Sequence, residues 1–183
     1  MSKIKPQALC RIAILAALYA LLTLVSIRAG NLRVSFGSLP LVVCALLFGP
    51  WQAAAVGALG EFLNQMLSYG FTATTVLWLI PAAVRGLVIG LAALRFRGNR
   101  PLAERPLPCF AVCVCAALAT TLCNTAVIWL DSVLYHYYTF VYVFGDMALR
   151  LLTGSVTAVV IAALAMPLAR LLSRQILPQG NRA

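Results

Sequence analysis

Long apolar stretches, separated by short polar breaks, dominate the order of residues along this chain. Six of them predict α-helices, over residues 10–27, 40–48, 51–68, 74–94, 109–133 and 144–172. A helix needs about 20 mostly apolar residues to cross a lipid bilayer, and all but the second stretch approach or exceed that length. The pattern therefore predicts an all-α membrane protein, a six-transmembrane-helix bundle, in which the short second helix is the least secure span.

The composition supports a membrane location. Hydrophobic residues make up 63% of the 183 positions and charged residues 10%. Soluble domains carry about 25% charged residues, so a soluble chain of this composition would lack the polar surface that water requires. The six helices leave no room for a soluble domain, and we predict a single integral membrane domain over residues 1–183, with one cytoplasmic loop at 95–108.

The basic residues predict the orientation. If the N-terminus lies inside, six crossings place ten of the fourteen lysines and arginines on the cytoplasmic side. These ten are Lys3, Lys5, Arg11, Arg95, Arg97, Arg100, Arg105, Arg170, Arg174 and Arg182. Such a bias follows the positive-inside rule and predicts that both termini are cytoplasmic. The net charge of +10 is therefore assigned to membrane orientation and not to nucleic acid, because no basic face with interleaved aromatic residues is present.

Charged residues inside apolar helices are costly in lipid and indicate function. Glu61 and Arg85 each lie about ten residues into a predicted helix, which places both about 15 Å deep. We expect them to pair or to share one intramembrane polar network. A salt bridge that only stabilises the bundle explains them equally well.

The remaining polar and aromatic residues gather in the outer half and predict a pocket that is open to the outside. The candidate substrate-binding residues are Arg33, Arg85 and Arg150 for an anionic group; Trp78, Trp129 and Tyr135 for stacking on a ring; and Ser35, Phe36, Asn64, Thr74, Asn124 and Asp146 as further contacts. We predict no catalytic residue, no cofactor and no metal site.

Enzyme signatures are mostly missing from the sequence. The only lysines are Lys3 and Lys5, so there is no P-loop lysine, and His136 is the sole histidine. Two alternatives stay open. One is a stand-alone secondary transporter with Glu61 as the proton or ion carrier. The other is a membrane enzyme that uses Glu61, Asp146 or His136.

Small residues at helical spacing predict close helix packing. They are Ala13, Ala16, Ala17 and Ala20 on the first predicted helix; Ala53, Gly57 and Gly60 on the third; and Ala82, Gly86 and Gly90 on the fourth. Internal packing explains most of them, but the alanine face of the first helix could instead dock a separate membrane partner.

Three motifs carry a resemblance to a known family. They are residues 32–36 before Leu39 and Pro40, the run at 46–51 that contains Phe48-Gly49-Pro50, and Gly57-Ala58-Leu59-Gly60-Glu61. Together with six short helices, they resemble the substrate-binding S components of energy-coupling factor (ECF) vitamin transporters, and are most similar to the folate branch.

The resemblance implies a multi-pass subunit of an ABC-type importer in the bacterial plasma membrane. It implies partners, namely a transmembrane T component and two cytoplasmic ATPases. It also implies that Ala13, Ala16, Ala17 and Ala20 dock the T component, and that a vitamin binds under the loop after the first helix. Folate is the expected vitamin, with pantothenate or cobalamin as alternatives.

Overall fold

The computed structural model describes residues 6–29, 32–96 and 101–176; of residues 27–29, 32–34 and 176 only the backbone is described. The predicted cytoplasmic residues Lys3, Lys5, Arg97, Arg100 and Arg182 lie outside the described part. The helices are α1 (Pro6–Leu24), α2 (Ser38–Phe48), α3 (Pro50–Ser68), α4 (Thr75–Arg95), α5 (Pro106–Leu134), α6 (Phe140–Phe144) and α7 (Met147–Ile176). The helical bundle predicted from the apolar stretches is confirmed.

The connection between α1 and α2 differs from the prediction. In place of an irregular loop, β1 (Ile27–Ala29) and β2 (Leu32–Val34) form an antiparallel hairpin. Its central pair is Arg28 opposite Arg33. Strands of three residues are too short to show an alternating pattern in sequence, so the hairpin could not be read from hydrophobicity.

Among the described residues, four segments are long and apolar enough to cross a membrane: Pro6–Leu24, Thr75–Arg95, Pro106–Leu134 and Phe140–Gln175. The second predicted span, α2, has 11 residues and rises only about 16 Å. The third, α3, has 19 residues, but its polar residues keep it outside the group of four. The count of six crossings thus stays a prediction, while the packing of six main helices is observed.

The helix pair α3 and α4 packs through its small residues. A Cβ on Gly57 would lie 2.6 Å from the carbonyl oxygen of Ala82, and a Cβ on Gly90 would lie 2.4 Å from Cα of Pro50. The start of α3 therefore lies beside the end of α4, and the two helices pack antiparallel. The predicted glycine faces therefore serve internal packing.

The short helix α2 occupies the centre of the bundle. Leu41 and Ala45 are fully buried, and α2 contacts α1, α3, α4 and α7. Gly49 ends it with φ +92°, a conformation that favours glycine, and Pro50 starts α3 at once. This sharp turn returns the chain along α4.

The alanine face of α1 is divided by its burial. Ala16 and Ala20 are buried inside the bundle, at 2% and 3% exposure, whereas Ala13 and Ala17 are exposed. The prediction that all four dock a partner is therefore corrected, because a buried methyl group packed against α1's own neighbours has no surface to offer. Docking through Ala13 and Ala17 stays a prediction.

The segment between α4 and α5 is partly ordered against the bundle. A 3-10 turn covers Leu102–Glu104, and α5 begins at Pro106, three residues before the predicted start. Leu102 and Ala103 are buried, and Arg170 of α7 donates a hydrogen bond from Nε to the carbonyl oxygen of Ala103 at 2.8 Å.

Candidate functional site

Two neighbouring cavities lie towards the end of the bundle that carries the β-hairpin. Cavity A, of about 590 Å³, lies among α1, α3, α4 and α5. Cavity B, of about 420 Å³, lies among α2, α4, α5 and α7. Arg85 and Asn124 line both, so these two side chains form the wall between the cavities. Both volumes fall within the range of small-molecule sites, about 300–1,000 Å³.

One wall of cavity A is a hydrogen-bonded cluster around Glu61 of α3. Tyr19 of α1 donates its hydroxyl to Glu61 Oε2 at 3.0 Å. Asn64 Nδ2 and Gln65 Nε2 both donate to Glu61 Oε1, at 3.0 Å and 3.2 Å. All four side chains line the cavity. Donors on both carboxylate oxygens offset the cost of placing an acidic side chain inside the bundle.

Tyr19 reaches this cluster because α1 and α3 approach closely. A Cβ on Gly60 would lie 2.6 Å from Cδ1 of the Tyr19 ring, so only glycine fits there. Thr23, one turn later, donates its hydroxyl to the Tyr19 carbonyl oxygen at 2.8 Å. The tyrosine is only 8% exposed, and its hydroxyl is fixed at the base of cavity A.

Arg85 of α4 has a different partner. Its Nε donates to Thr120 Oγ1 at 3.2 Å, and Thr120 in turn donates its hydroxyl to the Ala116 carbonyl oxygen at 2.6 Å. Because the threonine hydrogen is committed to its own helix, the oxygen lone pairs point towards the guanidinium. Within the described residues no ion pair joins Arg85 to Glu61; the two share cavity A but not a direct contact.

Aromatic side chains provide the apolar part of cavity A. Trp78 of α4 lines this cavity together with Tyr69, which follows α3, and Tyr135, which follows α5. Trp78 is partly buried, while Tyr69 and Tyr135 are 63% and 51% exposed. This arrangement offers flat surfaces to a planar ring, with the more open ones at the rim.

The turn after α5 shapes the rim. Asp131 lines cavity A and accepts a hydrogen bond from the hydroxyl of Tyr137, and this bond raises the pKa of Tyr137 above its usual value. Between them, His136 adopts a left-handed conformation with φ 59°, which reverses the chain at the helix end. The ring of Tyr137 meets Tyr142 edge to face at 5.5 Å.

Cavity B is rich in hydroxyl groups. Thr121 donates its hydroxyl to the Ala117 carbonyl oxygen at 2.9 Å, and Thr153 donates to Leu149 at 2.7 Å. Both threonine oxygens therefore keep acceptor capacity for a ligand. Ser35 Oγ instead accepts from the Gly37 N–H at 3.1 Å, which leaves its own hydrogen as a donor.

Arg150 brings a cation to cavity B. Its Nη2 donates to the Tyr142 carbonyl oxygen at 3.3 Å. Its Nη1 is buried and has no hydrogen-bond partner in the described part of the chain. A buried guanidinium N–H without an acceptor is unfavourable, so this atom is suited to a ligand oxygen. Asp146, one turn earlier, lines the same cavity.

The predicted site residues separate into four groups. Asn64, Thr74, Trp78 and Tyr135 line cavity A; Ser35, Asp146 and Arg150 line cavity B; Arg85 and Asn124 line both; and Phe36 and Trp129 line neither. The side chain of Arg33 lies outside the described residues. Trp129 is 46% exposed on the outside of α5, where it faces the surroundings of the bundle.

Several lining residues were missed by the sequence prediction. Tyr19 is a lone polar ring in an apolar helix, and that isolation was its only signal. Thr153 and Thr157 follow Arg150 at helical spacing and share its face, so the predicted arginine pointed to them. Thr120 and Thr121 form a polar pair within apolar α5, which is the same kind of signal.

Solved structures of other proteins share this fold. ThiT from Listeria monocytogenes superposes with a TM-score of 0.69 at 17% identity, covering 94% of this chain and 98% of that one. The S component of a bacterial ECF transporter superposes with a TM-score of 0.62 at 20% identity, covering 92% and 98%. No curated protein matches the sequence.

Residues 3–174 match the family described as "ECF-type riboflavin transporter, S component". The resemblance to S components of ECF vitamin transporters is therefore confirmed, and the family description names riboflavin where the sequence motifs favoured the folate branch. The chain belongs to the family of S components of ECF-type riboflavin transporters.

Proposed function

We propose that this chain captures riboflavin from outside the cell and presents it for uptake by an ECF-type importer. The family match supports the vitamin-binding role. The observation that carries the choice of ligand is the pairing of an aromatic cavity with a hydroxyl-lined one across the wall formed by Arg85 and Asn124.

Riboflavin has the matching two parts. Its flat isoalloxazine ring suits cavity A, where Trp78 offers a stacking face. Its ribityl chain carries hydroxyl groups, each of which is both a donor and an acceptor. Cavity B offers acceptors at Thr121 and Thr153 and donors at Ser35 and Arg150, so such a chain can satisfy both kinds of group.

The charges around the cavities favour a neutral ligand. The described lining residues include three carboxylates, on Glu61, Asp131 and Asp146, against two guanidinium groups, on Arg85 and Arg150. A folate molecule would bring additional carboxylates into this partly enclosed space, where like charges repel strongly. Riboflavin brings none.

Folate is the second candidate, and one observation favours it. The buried Nη1 of Arg150 has no partner in the described residues and would donate a hydrogen bond to a carboxylate oxygen as readily as to a hydroxyl oxygen. Direct comparison of the two vitamins separates the candidates.

The test is a fluorescence titration of the purified, ligand-free protein with riboflavin and, in parallel, with folate. We expect riboflavin fluorescence to be quenched at one ligand per chain with a Kd of about 1 μM or tighter, and folate to bind at least about tenfold more weakly. If folate binds more tightly, folate and not riboflavin is the ligand. If neither vitamin binds, the proposed capture of these vitamins is wrong.

We further propose that uptake needs a transmembrane T component and two cytoplasmic ATPases. Within the described residues, Glu61, Arg85 and Arg150 each form at least one hydrogen bond to a neighbouring group at the cavities. The two alternatives, a stand-alone secondary transporter and a membrane enzyme, are separated by reconstitution. Riboflavin accumulation in liposomes that contain this chain alone would favour the secondary transporter, and chemical conversion of the vitamin would favour the enzyme.

A further inference from the structure

Both carboxylate oxygens of Glu61 already accept hydrogen bonds from neighbouring side chains, so we expect its role in the site to be indirect. Its two oxygens accept hydrogen bonds from Tyr19, Asn64 and Gln65 at 3.0–3.2 Å. Three donors on one carboxylate leave little acceptor capacity for a ligand in cavity A. These bonds instead act on the groups that donate them.

The carboxylate fixes the orientation of two side-chain amides. An amide has a donor end and an acceptor end on the same carbon, and an ionised carboxylate accepts only. Because the nitrogens of Asn64 and Gln65 donate to Glu61, their carbonyl oxygens must face away from it. The Asn64 oxygen is within 3.5 Å of the Ser68 hydroxyl, while Gln65 lines cavity A.

We propose that Glu61 is a specificity-determining positioning residue, which holds the Gln65 carbonyl as an acceptor for a ring N–H of the ligand. The inference rests on the proposed riboflavin function and deepens it: the preferred ligands are heterocycles with an imide or lactam N–H at the ring edge. Tyr19 supports the arrangement from α1, because its hydroxyl keeps Glu61 Oε2 in place.

The charge of Glu61 is the essential property. A glutamine at position 61 would have a donor and an acceptor end of its own, so it could satisfy the Gln65 amide in either orientation. The acceptor facing the cavity would then no longer be enforced. The side chain at position 61 would keep its size, so the effect should appear in ligand choice more than in overall affinity.

The experiment compares riboflavin with riboflavin methylated at the ring imide nitrogen, in the wild type and in Glu61→Gln. We expect the wild type to bind the methylated ligand about tenfold or more weakly, since an acceptor that the bound ligand covers loses its donor. The ratio of the two Kd values should fall several-fold in Glu61→Gln. The bulk of the methyl group is common to both proteins and cancels from the comparison.

Two further variants keep the test decisive. Gln65→Met removes the carbonyl itself and should lower the ratio as much as Glu61→Gln does, even if one of the two variants folds poorly. Glu104→Gln makes the same chemical change at an exposed position near the start of α5, and it should leave the ratio at the wild-type value.

The ratio of the two Kd values distinguishes the possible roles of Glu61. A fall in the ratio in both cavity variants supports the inference. Equal weakening of both ligands with an unchanged ratio would assign Glu61 a purely structural role and overturn the inference. Equal binding of both ligands by the wild type would also overturn it while leaving riboflavin capture intact, and binding of neither ligand would reject the proposed function itself.

Discussion

Two tryptophans near the same end of the bundle have different surroundings. Trp78 is partly buried and lines cavity A, whereas Trp129 is 46% exposed and lines neither cavity. Both were predicted to stack on the ligand, because sequence shows that an aromatic residue is near the membrane edge but not which way its helix face turns. Of the two, Trp78 is therefore the tryptophan that we propose for ring stacking.

Replacing these residues tests that assignment. We expect Trp78→Ala to weaken riboflavin binding at least about tenfold, since an aromatic stacking partner contributes of the order of 1 kcal/mol beyond its buried area. Trp129→Ala is the matched control and should change the Kd less than about twofold. The measurement is fluorescence titration; an equal loss in both variants would contradict the placement of the ring.

Gly86 and Gly154 differ strongly in the space that they leave for a side chain. A Cβ on Gly86 would lie 2.7 Å from the backbone of Ala53, which cannot move aside without separating α3 from α4. A Cβ on Gly154 of α7 would meet only the Thr121 hydroxyl oxygen, at 3.3 Å.

We therefore expect Gly86→Ala to destabilise the protein by about 1–3 kcal/mol, as overpacking does. Gly154→Ala should have a small effect, because alanine favours the helix by about 1 kcal/mol and the nearby side-chain oxygen can shift slightly. Thermal unfolding in detergent measures both. A Tm for Gly86→Ala at or above the wild-type value would contradict the close packing of α3 and α4.

At the scale of helices, the position of α1 decides which alanines a partner can reach. Small residues four apart were correctly read as a close-packing face, but sequence alone could not divide that face between the protein's own core and a partner. The two registers, Ala13 with Ala17 and Ala16 with Ala20, overlap on the helix. In the structure, the face of α1 that packs against α3, where the Tyr19 ring lies against Gly60, also carries the buried Ala16 and Ala20.

This division predicts different phenotypes for neighbouring tryptophan substitutions. Ala17→Trp should prevent co-purification with a T component and leave riboflavin binding unchanged, because Ala17 is exposed. Ala16→Trp should lower the Tm, because Ala16 is 2% exposed and its space is filled. If Ala17→Trp co-purifies normally with the T component, docking through this face of α1 is wrong.

The β-hairpin is the element that sequence did not predict. Each strand has one arginine between two apolar residues, Arg28 in β1 and Arg33 in β2, and a pattern of three residues is equally compatible with a loop. Strands this short are stabilised by their pairing and by the helices that bring their ends together, and neither is visible in a local pattern. The longer helices were predicted to within a few residues because each has an apolar length that only a helix can bury in lipid.

For the molecule as a whole, the predicted orientation in the membrane is the same whether or not α2 and α3 cross it. If α2 and α3 both cross, there are six spans; if they form a re-entrant pair, there are four, as α1, α4, α5 and the α6–α7 segment meet the length and hydropathy criteria. Both numbers are even, and both leave the two termini on one side. The predicted positive-inside orientation is thus independent of the weakest helix.

Cysteine labelling tests this orientation. After alanine replaces the six native cysteines, a cysteine at Phe71, which is 72% exposed in the α3–α4 turn, should react with a membrane-impermeant maleimide in intact cells. A cysteine at Glu104 should react only after the membrane is opened, because the loop at 95–108 is predicted to be cytoplasmic. The opposite pattern would reverse the protein in the membrane and place cavities A and B towards the cytoplasm.

The central claim is that the two cavities together bind riboflavin, and the most direct measurement identifies the bound molecule. The protein is purified from cells without added vitamin, its small molecules are extracted and identified by mass spectrometry, and the stripped protein is then titrated. We expect riboflavin at up to one molecule per chain, and rebinding of added riboflavin at the same stoichiometry. Recovery of a different vitamin, together with no rebinding of riboflavin, would contradict it.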